Sequence, residues 1–376
     1  MEYIRMLRWP AAGFRWVCLC GMALLALAPA AQGQADSLTL DWWNALSPTW
    51  QLKFRKAANL RFHIDGKELK AIYALKQIEC RGIDDVGEEV DITSLEPLRF
   101  LLNLQVIDCS YSKIHDLSPL SNLRQLRDLN CSDTNVETLA PLAGLRSLKQ
   151  LHCSNTMVAT LDPIQSLQGL EVLDLFGTRL KDFASIGHFR RLKHLDVQST
   201  RIASLEPLRN LLYLESLSFS ETKVDDLEPI KRLTRLRKLE LFKTKITGIE
   251  HLQAMTQLEY LNIAQNKVPS IEPLRKMRKM RILYASGTEI NTLEPLRYAR
   301  ELVEVTFSNT EVASLEPLQT LPKLKLIICT ETKITSLEPL KWLRNLSTLY
   351  CRDSQVSEEA IQQFQQAHPE CEMDLL

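Results

Sequence analysis

The sequence predicts an α/β solenoid: a parallel sheet along one side, single helical turns along the other, and helical caps at both ends. Three observations carry that prediction. A five-residue phrase, SLEPL, stands at 94–98 and returns at 204–208, 314–318 and 336–340. The first apolar residue of each copy or near-copy gives the series Leu95, Leu117, Leu139, Leu161, Phe183, Leu205, Leu227, Ile249, Ile271, Leu293, Leu315 and Leu337, and every step is 22 residues. Within each turn a short stretch alternates apolar and polar residues with the period of two that marks a strand with one buried face. A fixed period of roughly 20–29 residues marks units that cannot bury their apolar face alone and must stack. Residues 78–356 therefore read as one elongated array.

The segment ahead of the array reads differently. Arg5, Arg8 and Arg15 precede an apolar run from Val17 to Ala28, followed by Pro29 and the small residues of AAQGQA. This is the order of a secretory signal peptide, so residues 1–35 are expected to be removed and the chain exported, to the periplasm or the exterior. The run is too short to span a bilayer comfortably.

A stacked array exposes its core at both ends unless it is capped. Residues 36–77 are expected to form the first cap. There DWWNALSPTWQLKF (41–54) reads as helix broken at Ser47-Pro48, with Trp42, Trp43 and Trp50 as apolar bulk. Residues 357–376 are expected to form the second, with helix from Val356 to Gln366 and a last inward pair at Cys371 and Met373. From Ile78 to Ile107 is 29 residues, seven more than the period, and the excess falls in RGIDDVGEEVDI. Fourteen strands are predicted, an axis of about 60 Å at ~4.8 Å per strand step.

Inside one turn each column has a physical role. Ile107, Leu129, Leu151 and their equivalents through Leu349 point inward. A column of short polar residues, Ser112, Thr134, Thr156 and on to Asn266 and Ser354, is expected to bond backbone groups where the chain bends. The residue before each apolar anchor (Ser94, Asp116, Thr138 and so on) is an acceptable helix N-cap, and the following glutamate and proline suit a first helical turn. SLEPL is thus a helix-start signal.

The pattern L-x-x-L-x-x-L-x-L-x-x-T-x-I-x-x-L-x-P-L resembles bacterial leucine-rich repeats of the internalin type, over about residues 78–356. The resemblance implies a curved solenoid with the sheet on its concave face, used by relatives for protein–protein recognition. The tryptophan-bearing front segment is similar to the N-terminal caps of exported bacterial repeat proteins. The chain departs from the pattern in carrying threonine where many members carry asparagine.

Catalytic chemistry finds little support. With 46 basic and 46 acidic residues, overall charge gives no reason to expect nucleic acid or an anionic membrane as partner. There is no HExxH, no phosphate-cradling glycine loop and no defensible Ser-His-Asp order. Cys80, Cys109, Cys131 and Cys153 share one inward column, as do Cys329 and Cys351; they read as buried thiols, with disulfides or a metal as alternatives. His152 and His194 lie on outward positions.

Large side chains on outward strand positions are the informative exception. Phe176, Phe242, Tyr260, Ile282, Tyr284 and Tyr350 stand there, with Leu326 and Ile328, and Asp108, Asp128, Asp174 and Asp196 lie nearer the front. Aromatic anchors in a polar surround are the composition of a recognition surface. The expectation is a monomeric, non-catalytic exported scaffold without metal or cofactor. It binds a protein through the concave face using Phe176, Phe242, Tyr260, Ile282, Tyr284, Tyr350, Asp174, Asp196, His152 and His194. The alternative is a structural or envelope-organising protein that uses its convex face or its ends.

Overall fold

The computed structural model describes residues 38–60, 63–84, 86–180 and 183–374; the expected export segment, 1–35, lies outside them. Fourteen short strands follow one another: β1 Gln77–Glu79, β2 Val106–Asp108, β3 Asp128–Asn130, β4 Gln150–His152, β5 Val172–Asp174, β6 His194–Asp196, β7 Ser216–Ser218, β8 Lys238–Glu240, β9 Tyr260–Asn262, β10 Ile282–Tyr284, β11 Glu304–Thr306, β12 Leu326–Ile328, β13 Thr348–Tyr350 and β14 Glu372–Met373. They form one sheet in sequence order. Each pair is parallel, and from β2 to β13 the register keeps the 22-residue step, as in Leu217 beside Leu239 and Leu239 beside Leu261. The middle residue of each strand from β1 to β13 is buried, and the column continues inward through Cys80, Cys109 and their successors.

Opposite the sheet run tight 3₁₀ turns, such as Glu96–Leu98 and Glu338–Leu340. The helix-start reading holds with one change. In ten turns the predicted capping oxygen accepts the N–H two residues ahead, as Ser94 Oγ does from Glu96 at 3.2 Å and Asp116 Oδ1 from Ser118 at 2.8 Å. The residue directly before the helical turn is the leucine, whose carbonyl takes the first i→i+3 bond, Leu98 N–H to Leu95 O at 2.9 Å. A 3₁₀ turn is too tight for the longer reach of an α-helical N-cap.

The hydroxyl column acts as predicted. Thr134 Oγ1 donates to the Cys131 carbonyl at 2.6 Å and Thr310 Oγ1 to that of Phe307 at 2.7 Å. Asn266 does more: its Nδ2 donates to Ile263 O and, across the repeat boundary, to Leu241 O at 2.7 Å, while its Oδ1 accepts from Thr244. One position before this column the backbone turns left-handed in all twelve repeats, from Tyr111 (φ 58°) to Asp353 (φ 54°), and only Gly177 and Gly287 are glycines.

Three helices precede the sheet: α1 Leu40–Asn44, α2 Pro48–Ala57 and α3 Gly66–Tyr73. The break falls at Ser47-Pro48: Ser47 Oγ accepts from Trp50 N–H, and Pro48 occupies the first helical position, where its missing N–H costs nothing. Trp43, Trp50 and Phe54 are buried against the array. The seven-residue excess forms a small antiparallel loop, with Ile83 bridged to Glu89.

At the other end α4, Glu358–Ala367, replaces the 3₁₀ turn. It lengthens the last repeat, so Met373, not Cys371, lies opposite Leu349. The slip from the expected register is two residues, an even number, and it keeps the same face inward.

Candidate functional site

Parallel pairing in constant register lines up the outward side chains in straight columns about 4.8 Å apart. One column runs Asp108, Asn130, His152, Asp174, Asp196 and Ser218; its continuation carries Glu240, Asn262, Tyr284 and Thr306. Function on this face therefore depends on which residues the repeats place side by side.

On β8–β12 half of those residues are aromatic or aliphatic: Tyr260, Ile282, Tyr284, Leu326 and Ile328. The Tyr260 and Tyr284 rings meet edge to face, with centroids 5.6 Å apart, a favoured aromatic arrangement. Tyr284 Oη donates to Glu304 Oε2 at 3.1 Å. Burial, then the bond to Glu304, pushes the Tyr284 phenol up to about 12. Burial, reinforced by the charge of Glu240, also raises the Tyr260 phenol above its ordinary value. Lys238 Nζ lies 5.2 Å from the centre of the Tyr260 ring and 2.5 Å from Glu240 Oε1. Phe242, Ala264, Tyr284, Leu326 and Ile328, with Asn262, Glu304 and Thr306, line a hollow of about 360 Å³. Ile282 sits in register between Tyr260 and Glu304.

Two predicted anchors do not join this cluster. Phe176 follows β5, three strands before Phe242, and is 37% exposed. Tyr350 lies three strands beyond Tyr284 and donates to Glu372 Oε1 on β14 at 2.5 Å, diagonally across the ladder, because the shifted register sets Glu372 opposite Thr348. Sequence reasoning overlooked Glu304, which binds Tyr284; its outward place between Ile282 and Leu326 was the available signal.

The other half of the face is acidic. Asp108, Asp128, Asn130 and His152, with Gln77, Glu79 and Val106, line a second hollow of about 300 Å³. Burial raises the carboxyls of Asp128 and Asp196 above their ordinary range. His152 Nδ1 stands 3.7 Å from Asp174 Oδ2. The bond to Asp174, with the charges of Asp174, Asp128 and Asp108, holds the imidazole above its usual 6.5. Burial works against the charge on Asp174, but bonding from His152 and the Phe176 N–H outweighs it, and that carboxyl is lowered. His194 is exposed on the neighbouring column and does not meet His152. Among the described residues no group of three or more His, Cys, Asp or Glu is arranged to hold a metal ion.

This pair sets a pH dependence whose sign is fixed. The folded imidazole keeps its proton longer than the unfolded one, so its contribution is complete below about pH 6.5 and fades as pH rises through the higher native value. The Asp174 contribution is complete above about pH 4 and fades as pH falls through its lowered value. The pair is strongest between these limits. The expected result is that His152→Gln lowers the melting temperature more at pH 6 than at pH 8; an equal loss at both would remove the pair as a source of stability.

The seven cysteines among the described residues are buried free thiols. Cys109 Sγ donates to the Asn130 carbonyl at 3.2 Å and Cys153 Sγ to that of Asp174 at 3.4 Å, each on the next strand. Burial pushes the Cys80 and Cys131 thiols up to about 12, which leaves little thiolate for chemistry. Away from the sheet face, Trp342, 70% exposed, and Phe364 of α4 border a hollow of about 730 Å³ at the C-terminal end. No helix among the described residues is long and apolar enough to cross a membrane.

Comparison with known proteins places this geometry. An internalin of Listeria monocytogenes superposes with a TM-score of 0.78 at 20% identity, over 88% of this chain and 95% of that one. The functional domain of InlJ from Listeria monocytogenes, which includes a cysteine ladder, gives 0.67 at 19% identity over 85% and 71%. A leucine-rich repeat protein of Leptospira interrogans gives 0.60 at 17% over 86% and 98%. At these identities the likeness concerns the fold. No curated protein matches the chain. The family model described as a leucine-rich repeat region matches residues 104–250 and 144–358. These matches together span more than half of the sequence, on the same turns that build the parallel sheet, and the chain belongs to the leucine-rich repeat family.

Proposed function

We propose that this chain is a non-catalytic, exported scaffold that recognises another protein with the concave face of its sheet. The observation that carries the reading is the Tyr260–Tyr284 ring pair, with Ile282 in register beside Tyr260, next to a hollow lined by Phe242, Tyr284, Leu326 and Ile328. A sheet face that meets only water has no need of adjacent aromatic side chains, whereas large, stiff rings in a partly desolvated recess are the usual anchors of a protein interface. The leucine-rich repeat fold commonly serves protein–protein binding, and one structure of the same fold, at 18% identity with a TM-score of 0.61, is a plant peptide hormone receptor in complex with its peptide. Asp174, Asp196, His152 and His194 orient the partner at the other half of the face. Export rests on the arrangement of residues 1–35 described above.

The test is affinity capture from envelope and culture-medium extracts with the mature chain and with the variant Phe242→Ala/Tyr260→Ala/Tyr284→Ala. A partner retained by the first and lost by the second, with the melting temperature of the array preserved, is the expected result. Equal retention would move recognition off the concave face. In that case the exposed Trp342 beside the C-terminal hollow favours the reading in which the ends organise an assembly, and Trp342→Ala becomes the informative variant.

A further inference from the structure

Although the chain as a whole is balanced at 46 basic and 46 acidic residues, the outward positions of the fourteen strands are not. They hold eight carboxylates against a single lysine, Lys238, and that lysine already pairs with Glu240. Asp128, Asp196 and Glu304 have no cationic partner within 4.0 Å among the described residues. The opposite side follows another rule. Six glutamates of the short turns, including Glu96, Glu206 and Glu294, each pair with an arginine or lysine. On the sheet Glu79 and Asp108 meet Arg81, Asp174 meets His152 and Glu240 meets Lys238, and among the described residues Asp128, Asp196 and Glu304 are left without such a partner.

The face also has polarity along its axis. Four aspartates, Asp108, Asp128, Asp174 and Asp196, lie on β2–β6, and the apolar cluster lies on β8–β12. From Asp108 to Ile328 is ten strand steps, about 48 Å, which an extended segment of about 14 residues covers.

Resting on the concave-face reading above, we propose that the occupant of this face is a cationic segment of a partner protein. Its lysines and arginines lie over Asp108, Asp128, Asp174 and Asp196, and its apolar side chains seat in the hollow between Phe242 and Ile328. Charge complementarity selects the sign of the partner, and the position of the hollow selects its polarity. Burial already raises Asp128 and Asp196; a partner cation would work against that rise and favour their charged form.

Random peptides of about 16 residues, displayed on phage, test this with the folded mature chain as bait. Three baits are used: the wild type, Asp108→Asn/Asp128→Asn/Asp174→Asn/Asp196→Asn, and the triple alanine variant. Asparagine keeps the acceptor oxygens that hold Ser110, Phe176 and Gln198, and each bait's melting temperature is checked before panning.

The expected result is enrichment of peptides that carry a Lys/Arg cluster at one end and aromatic or aliphatic residues at the other. Their affinity should fall on the order of tenfold or more on the asparagine bait and weaken when salt rises from about 0.05 to about 0.5 M. Neutral or acidic peptides that are lost only on the alanine bait would overturn the cationic partner and leave the concave face standing. Peptides indifferent to both variants would overturn both. No enrichment over the asparagine bait would overturn the cationic partner alone, and capture of whole proteins would then decide the face.

Discussion

Phe307→Ala is expected to destabilise the array by about 3–5 kcal/mol. The ring is fully buried, and its inward column runs Ala285, Phe307, Cys329, so the large side chain stands between two small ones. The ladder is continuous there, with Ala285 N–H bonded to Thr306 O and Phe307 N–H to Ile328 O, both under 3 Å. Removing the ring leaves three small residues in a row, held by a backbone that cannot collapse toward them without breaking register. Phe307→Leu keeps most of the volume and should cost less than about 1.5 kcal/mol. Because each repeat touches only its neighbours, the damage should be concentrated on β10–β12. Hydrogen exchange should show lost protection on those strands before the rest of the sheet, and uniform loss along the array would contradict this account.

Gly82→Ala is the second large effect, and its cause is space. A Cβ at Gly82 would lie 2.0 Å from the Tyr111 carbonyl oxygen and 2.5 Å from the Ser112 Cα, both backbone atoms of the first regular turn. Gly82 also donates to Ser110 O at 2.9 Å and accepts from Val90 N–H at 2.8 Å, so the segment is tied on both sides. No side-chain movement relieves that overlap. The substitution should cost about 3 kcal/mol and release the loop from Ile83 to Glu89 along with the cap packed beside it. Gly144→Ala, with no atom within 4 Å of the new methyl, should stay within about 0.5 kcal/mol of wild type. Urea unfolding of both variants provides the comparison, and equal stability would show that the first turn yields where its backbone is drawn as rigid.

The fold was legible because stacking imposes the same demand every 22 residues. Inward positions must be apolar, and the bend must satisfy a carbonyl, so Leu, Thr and Ser recur in fixed columns. The left-handed bend was not legible. Its column holds Tyr111, Asp133, Ser199, Glu221, Lys243 and Gln265, with no residue type in common, because the neighbouring turns enforce that backbone shape. The site divides the same way. Tyr260 and Tyr284 lie on adjacent strands, so counting by 22 was enough to bring them together. Tyr350 was misjudged because its partner, Glu372, which stands one 22-residue step on, was left out of the count of outward positions. The ten-residue α4 explains the slip of Met373. Its length follows from its own apolar positions, and Phe364 is the one it buries.

The left-handed column bears on how the array assembles. A residue other than glycine in that conformation costs roughly 1–2 kcal/mol, and ten of the twelve repeats carry one. A single repeat on its own has that cost to meet with no sheet neighbour on either side, so it should stay open in water. Two repeats share one interface and three share two, so favourable contacts overtake the cost only once several turns form together. The chain should therefore order in a burst from a nucleus of several repeats and then lengthen turn by turn. Fragments of one or two repeats should remain unstructured, whatever the quality of their leucines.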